Sequence, residues 1–441
     1  MKRARASQVL RPPAFGYQGA TLGTRATELY CEAVPLERLA ERYGTPLYVY
    51  SAAMIRARLN AFAHSFRSIP HTLCYSVKAN STLAILRMVA GEGAGFDVVS
   101  GGELQRVLRV NRKAAGKVVF SGVGKNAAEM ELALRSGILL FNIESASELN
   151  LLSATATRLK KQAAVAVRVN PDVSAKTHPY ISTGLHQHKF GVPIPEARTL
   201  YARAAKEPYL KVAGVSVHIG SQITDVGTFQ EALERVADLV SALRGQGHDI
   251  RYIDAGGGLG ISYNDDGPRE NFQKQIAAYA RAVLGPLRGL KLHLLLEPGR
   301  AIVGAAGVLL TRVLYRKTNR RKRFLIVDAA MNDLLRPSLY GAYHEIVPLG
   351  QATSRKSHET ETTDVVGPIC ETGDFFARDR KLPMVAEGDL LAILDVGAYG
   401  SVLGSNYNTR GRAAEVLVDG ARVTVIRRRE SFDDQMRMEK F

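Results

Sequence analysis

Three features of this 441-residue chain could do chemistry together: a lysine, a glycine run and an acid, each directly after an apolar run. Lys78 follows Tyr75-Ser76-Val77 and precedes Ala79-Asn80. An ammonium in such a place is costly to desolvate, and desolvation favours the neutral amine and Schiff-base chemistry with a carbonyl. On this hexapeptide alone an ordinary strand-end lysine is the alternative. Gly256-Gly257-Gly258-Leu259-Gly260 lets backbone N–H groups approach a phosphate with no Cβ in the way, although tight turns use glycine too. Ser221, in His218-Ile219-Gly220-Ser221-Gln222, offers a further donor. The chain has no G-x-x-x-x-G-K-[ST] run, which argues against a nucleoside triphosphate. A carbonyl-reactive lysine beside a phosphate cradle points to pyridoxal 5′-phosphate. That group also needs an acid at its ring nitrogen and a flat neighbour for its ring. Glu297 and His218 are the candidates.

These residues share a position along their elements. Strand-like runs are expected at Leu73–Val77, Phe96–Val99, Val118–Ser121, Leu139–Ile143, Ala164–Val169, Ala213–Ile219, Tyr252–Asp254 and Lys291–Leu296. Helical spacing lies between them, as in Ala127–Ser136 and Thr228–Arg244. Eight such alternations over about 250 residues predict a (β/α)8 TIM-like barrel, with a doubly wound sheet as the rival. Lys78-Ala79-Asn80, Ser100-Gly101-Gly102-Glu103, Arg168, His218 with Ser221, Gly256 to Gly258 and Glu297-Pro298-Gly299-Arg300 all follow strand runs. Strand C-termini converge on one barrel face, so that face is read as functional. Beyond Arg300 strand-like runs with turns dominate (Ala301–Tyr315, Phe324–Val327, Thr363–Val366, Leu390–Val396, Ala414–Val418, Arg422–Arg427), predicting a second, mainly antiparallel β domain. The expected organisation is a basic, flexible N-terminus (1–24), a segment packing on the β domain (25–45), the barrel (46–300), the β domain (301–428) and a loose tail (429–441).

Composition bounds the rest. With 46% hydrophobic and 23% charged residues the chain is expected to fold rather than stay disordered. No apolar run reaches the roughly 18 residues of a membrane span, and the basic N-terminus has no apolar stretch behind it. Cys31, Cys74 and Cys370 are too scattered for a disulfide framework or a zinc site, so no metal is expected and a cytoplasmic location is. The net charge of +17 is dispersed apart from Arg3 to Arg11 and the run Arg316, Lys317, Arg320 to Arg323. That run lies between two β-rich runs and reads as a solvated hairpin turn rather than a nucleic-acid contact.

The chain resembles the fold type III pyridoxal-phosphate decarboxylases, whose barrel is alanine racemase-like, and among them most closely the diaminopimelate decarboxylases. The resemblance runs from about Tyr30 to Val418. It rests on YSVKAN (75–80), FDVVSGGEL (96–104), HPYISTGL with KFG (178–185, 189–191), HIGSQ (218–222), GGGLGI (256–261), EPGR (297–300), MNDLLRPSLYGAYH (331–344), GPICETGD (367–374) and GAYGSVLGSNYN (397–408). It implies that Lys78 carries the cofactor, His218 stacks on the ring, Glu297 pairs with the ring nitrogen and Arg168 lies near the ring. It adds Asp97, Ser221, Gly256, Gly257, Gly258, Pro298, Gly299, Arg300 and Tyr399 as cofactor contacts. Arg300, Arg336, Tyr340, Glu371 and Tyr399 would hold the substrate and Cys370 would donate a proton. In this family the cysteine and glutamate reach the partner subunit's site, so a homodimer is implied.

The implied substrate can be weighed physically. Diaminopimelate carries an amine and a carboxylate at its far end as well as at the reacting end. Arg336 with Arg300 would suit that carboxylate and Glu371 the ammonium, since a guanidinium fork matches a carboxylate in two bonds. Ornithine has only a distal amine, which would leave buried arginines unpaired and cost about two to five decades of discrimination. The implied reaction is loss of carbon dioxide from meso-2,6-diaminopimelate to give L-lysine. The alternatives are an ornithine- or arginine-type decarboxylase, a racemase on the same scaffold, and a silent relative that only binds; the last would be expected to lack Lys78 or Cys370.

Overall fold

The computed structural model describes residues 14–19, 26–173, 189–263, 271–352 and 359–440. The chain divides into two compact units. The first comprises Arg56–Ile261 and Asn271–Ile302. Its eight parallel strands are β1 (His71–Ser76), β2 (Gly95–Val98), β3 (Val118–Phe120), β4 (Leu140–Ile143), β5 (Ala163–Asn170), β6 (Leu210–Val217), β7 (Tyr252–Asp254) and β8 (His293–Leu296). Each pairs with the next, and β8 pairs back onto β1 with Leu294 opposite His71, so the sheet closes. All eight expected strands are present and the barrel, not the doubly wound sheet, is the fold.

Local sequence explains how strands alternate with helices. Asn126 and Glu129 form a reciprocal capping box at the start of Ala127–Ser136, and Gly137 ends that helix in the left-handed conformation. Ser100 caps Gly101–Val110 by accepting from the Glu103 N–H, while Glu103 accepts from the Val99 N–H. The polar Ser100-Gly101-Gly102-Glu103 run is thus a helix start, and capping alone accounts for its serine and acid. Cys74, Val119, Leu140, Ala166, Ala213 and Leu295, from six strands, fill the barrel interior with small and medium apolar groups.

The second unit comprises Met1–Ile55, Ser262–Glu270 and Val303–Phe441. Its main sheet runs, in order, Phe375–Pro383, Thr360–Val366, Lys322–Val327, Gly307–Asn319, Leu47–Ser51, Ala414–Asp419 and Arg422–Arg427. Most neighbours are antiparallel; Lys322–Val327 with Thr360–Val366 and Leu47–Ser51 with Ala414–Asp419 are parallel. Leu47–Ser51, expected at the start of the barrel, belongs to this sheet. Five consecutive buried residues carry no periodicity that would say which core they serve. The expected strand from Ala301 begins at Gly307, because Arg300–Val303 is helical.

Described parts of both chain ends form regular elements, while the rest of the N-terminal segment 1–24 lies outside the described residues. Phe15–Gly19 pairs antiparallel with Ala26–Cys31 and buries Phe15. In the C-terminal segment Ser431 and Asp434 form a capping box on Phe432–Met436, and Arg429 Nη2 donates to the Pro46 carbonyl at 2.7 Å. The basic run is a two-stranded hairpin with its turn at Arg320 and Arg321. Arg316 and Arg323 pair with Glu361, and Lys322 pairs with Asp364 and Asp379. Among the described residues no helix is long and apolar enough to cross a membrane.

Candidate active site

At the C-terminal end of the barrel, β1 runs into a 3-10 turn, Val77–Ala79, that presents Lys78. Lys78 Nζ pairs with Asp97 Oδ2, from β2, and lies 3.3 Å from Ser76 Oγ. Ser76 Oγ is also 2.7 Å from the same Asp97 oxygen and 3.1 Å from the Glu297 carbonyl. The lysine side chain is 31% exposed whereas Asp97 is fully buried. The expectation of a cation stranded among apolar groups is therefore corrected: its charge is compensated by a carboxylate, and its amine stays within reach of a ligand. Lys125 is the instructive contrast. It is fully buried, and its ammonium donates to Glu148 at 2.5 Å and to the Gly122 and Asn142 carbonyls at 2.6 and 2.8 Å. All three of its hydrogens are committed, so it braces strand ends.

Glu297 follows β8 and is buried. Ser121 Oγ donates to its Oε1 at 3.1 Å. Burial, then the charges of Asp254 and Asp97, push its pKa well above the ordinary 4.5, against the pull of Lys78. The neighbouring Asp254, at the end of β7, accepts from Asn142 Nδ2 at 2.6 Å, Ser216 Oγ at 3.1 Å and the Gly256 N–H at 3.0 Å. Burial raises the Asp254 pKa as well, but its donors and the hydrogen bond with Glu297 pull it down whereas that same bond raises Glu297, so Glu297 keeps the proton that the pair shares. Sequence reasoning missed Asp254, Asn142, Ser76 and Ser121. Their signal was a polar side chain inside or at the end of an apolar run.

His218, after β6, is half-buried and accepts the Gly220 N–H at Nδ1 (3.2 Å), which leaves any ring hydrogen on Nε2. Desolvation, then Arg168 and Lys78, lower its pKa well below 6.5, so the ring is neutral at neutral pH. Arg168, at the end of β5, pairs with the buried Glu144 at 3.1 Å and lies 5.0 Å from the Phe190 ring. Arg300 Nη2 donates to Ser221 Oγ at 3.2 Å, bringing two expected cofactor contacts together. In the glycine run, a Cβ on Gly257 would sit 2.1 Å from the Glu297 carbonyl. One on Gly258, whose φ is +107°, would sit 2.4 Å from the Gly220 carbonyl. Close approach of three strand ends thus requires these glycines before any phosphate is considered. The Pro298 carbonyl accepts from the Ser76 N–H, and Gly299 leaves room for the Ser76 and Ala79 side chains.

The second unit gathers the remaining candidates on neighbouring loops. Arg336, buried, opens the short helix Arg336–Tyr340, in which Tyr340 is half-buried. Ser338 Oγ in that helix donates to the Gly373 carbonyl at 2.6 Å, tying it to the loop of Cys370 and Glu371. Cys370 and Glu371 are both exposed. The Cys370 N–H donates to Asn408 Oδ1 at 3.3 Å, and Tyr407 Oη donates to Glu371. Asp374 braces the loop from inside by accepting the Met331 and Ile369 N–H groups, each at 2.7 Å. Tyr399 is half-buried with a left-handed backbone, φ +56°. The HPYISTGL motif lies outside the described residues.

The donor set suits pyridoxal phosphate. Lys78 supplies a reachable amine, Glu297 a proton-holding carboxyl inside the barrel, His218 a neutral flat ring, and Arg300 with Ser221 an anion-binding pair. An α/β barrel with such a mouth is a scaffold for chemistry on a carbonyl-bearing ring cofactor. Residues 52–304 match the pyridoxal binding domain of the pyridoxal-dependent decarboxylases, and the chain belongs to that family. A diaminopimelate decarboxylase of Pseudomonas aeruginosa is 53% identical over 414 residues, 94% of this chain and 97% of that one. One from Neisseria meningitidis serogroup A is 50% identical over 408 residues, 92% and 98% of the two chains. Among solved structures, diaminopimelate decarboxylase from Helicobacter pylori with L-lysine is 42% identical, with a TM-score of 0.86 over 91% of this chain and 98% of that one. The enzyme from M. jannaschii in co-complex with L-lysine is 37% identical, with a TM-score of 0.89 over 98% of both chains.

Proposed function

We propose that the protein is a carboxy-lyase that converts meso-2,6-diaminopimelate to L-lysine and carbon dioxide, working in the cytoplasm as a homodimer with pyridoxal 5′-phosphate. The relatives' shared activity and the L-lysine held by two structural neighbours support the substrate. The single observation that carries the chemistry is the brace at Ser76, whose hydroxyl touches the carboxylate paired with Lys78 and the backbone of Glu297.

When bound, pyridoxal phosphate supplies the electron sink that makes loss of an α-carboxylate feasible. The chain's own residues bind, orient and move protons. Lys78 holds the cofactor through Nζ and Asp97 keeps that nitrogen in place. Glu297 would face the ring nitrogen and hold a proton there, since its own carboxyl is buried and its pKa is raised. His218 would offer its neutral ring to the flat cofactor and Arg168 would lie near it. Gly256, Gly257, Gly258, Ser221 and the Glu297–Arg300 stretch, with Tyr399, hold the remainder of the cofactor. Arg300 and Arg336 grip the carboxylate that is kept, Tyr340 and Tyr399 flank the substrate, and Glu371 takes the distal ammonium. Cys370 delivers the proton to carbon from Sγ, and its exposed loop with Glu371 completes the other subunit's site.

The test offers purified protein with pyridoxal phosphate either meso-diaminopimelate or ornithine and assays lysine, putrescine and carbon dioxide. Equimolar lysine and carbon dioxide from the first, with no putrescine from the second, is expected. Putrescine without lysine overturns the substrate assignment.

A further inference from the structure

His344 is completely buried, eight positions beyond Arg336, and has no part in the roles assigned so far. Its Nδ1 lies 2.8 Å from the Leu394 carbonyl oxygen. A carbonyl only accepts, so Nδ1 carries a hydrogen. Its Nε2 lies 2.8 Å from Arg336 Nη1. A guanidinium only donates, so Nε2 presents its lone pair and the imidazole is neutral. The two neighbours leave one tautomer possible. Tyr263 completes the arrangement: its ring centroid is 4.6 Å from the Arg336 Cζ and 5.2 Å from the imidazole, at an interplanar angle of 78°. One edge of the guanidinium is thus fixed by a hydrogen bond and one face by an aromatic ring. A neutral imidazole orients the cation without cancelling its charge, as a carboxylate would.

We infer that His344, backed by Tyr263, is a positioning residue that holds the Arg336 guanidinium in the orientation needed to grip the carboxylate kept in the product. The inference rests on the assignment of Arg336 to that carboxylate. Two-bond recognition of a carboxylate depends on the plane of the fork, so a guanidinium free to rotate loses that grip while keeping its charge. The consequence is selective. Ligands bearing the carboxylate are affected and ligands lacking it are not.

The test compares competitive inhibition of the holoenzyme by L-lysine, which has the carboxylate, and by 1,5-diaminopentane, which lacks it. His344→Asn keeps a donor for Leu394 but is too short to accept from Arg336. It is expected to raise KM for diaminopimelate and Ki for L-lysine about tenfold or more, the scale of a hydrogen bond to a charged group. Its kcat stays within about threefold and the diaminopentane Ki within about twofold, because neither depends on the fork. His344→Gln, whose amide oxygen reaches the Nε2 position, recovers most of the loss. Tyr263→Leu removes the stack alone and shows the same selectivity, so it decides the matter where His344→Asn does not fold. Equal weakening of both inhibitors, or a fall in kcat alone, overturns the positioning role. Arg336→Met separates the two layers. If it leaves the ratio of the inhibitors unchanged, the assignment of Arg336 fails; if it changes the ratio while the His344 and Tyr263 variants do not, only the positioning role fails.

Discussion

Glu297→Gln should make the cofactor-free protein more stable at neutral pH, although it removes a residue that chemistry needs. The folded protein raises the Glu297 pKa well above 4.5 through burial and the nearby Asp254 and Asp97. Below about 4.5 folded and unfolded chains both hold the proton, and the stability associated with this group is fully present. As pH rises from there toward the folded value, only the folded chain keeps the proton. Stability then falls by about 1.4 kcal/mol per pH unit. A glutamine is neutral at every pH and can still accept from Ser121 and donate to Asp254. The variant therefore escapes the loss, and its advantage over wild type should grow as pH rises from about 5 toward neutrality, by about 1.4 kcal/mol for each pH unit below the folded value. The chain has no tryptophan, so urea unfolding is best followed by far-ultraviolet circular dichroism. A difference between variant and wild type that stays constant over this range would refute the reasoning, because it would mean Glu297 is already ionised in the fold.

Two further outcomes follow from the geometry. Gly257→Ala places a Cβ 2.1 Å from the Glu297 carbonyl, so the ends of β7 and β8 must separate. A loss of about 1–3 kcal/mol in urea unfolding, with weakened pyridoxal phosphate binding by equilibrium dialysis, is expected. Lys78→Ala and Cys370→Ala should each abolish lysine formation, yet equal mixing of the two, after subunit exchange, should restore about a quarter of wild-type activity. Half the dimers are then mixed and each has one intact site. Mixtures that stay inactive although exchange is shown would place Cys370 in its own subunit's site.

Much of this architecture was legible in the amino-acid order because barrel strands are short apolar runs closed by polar residues. Ala127–Ser136 emerges with its expected bounds, since Asn126, Glu129 and Gly137 mark both ends chemically. Lys78, Glu297 and the glycine run stood out because each breaks an apolar pattern at a strand end. What stayed hidden depends on closure of the ring. Asn142 and Asp254 are 112 residues apart and meet only when β4 and β7 face each other across the barrel. Inside a run such as Leu-Phe-Asn-Ile one polar residue reads as an imperfection, not a partner. Phe375–Pro383 escaped for the opposite reason: its Ala-Arg-Asp-Arg-Lys stretch suits an edge strand with exposed charges but lacks an apolar signature. The loop carrying Cys370 and Glu371 could be singled out only through the family resemblance, because nothing in its spacing announces an exposed thiol with a role.

The central claim is that the amine of Lys78, and no other, joins the cofactor. Borohydride reduction of the protein saturated with pyridoxal phosphate, followed by proteolysis and mass spectrometry, tests it most directly. The account predicts one reduced pyridoxyl group per chain, on the peptide containing Lys78. Label on the peptide containing Lys125, or no retained label on intact saturated protein, would contradict it.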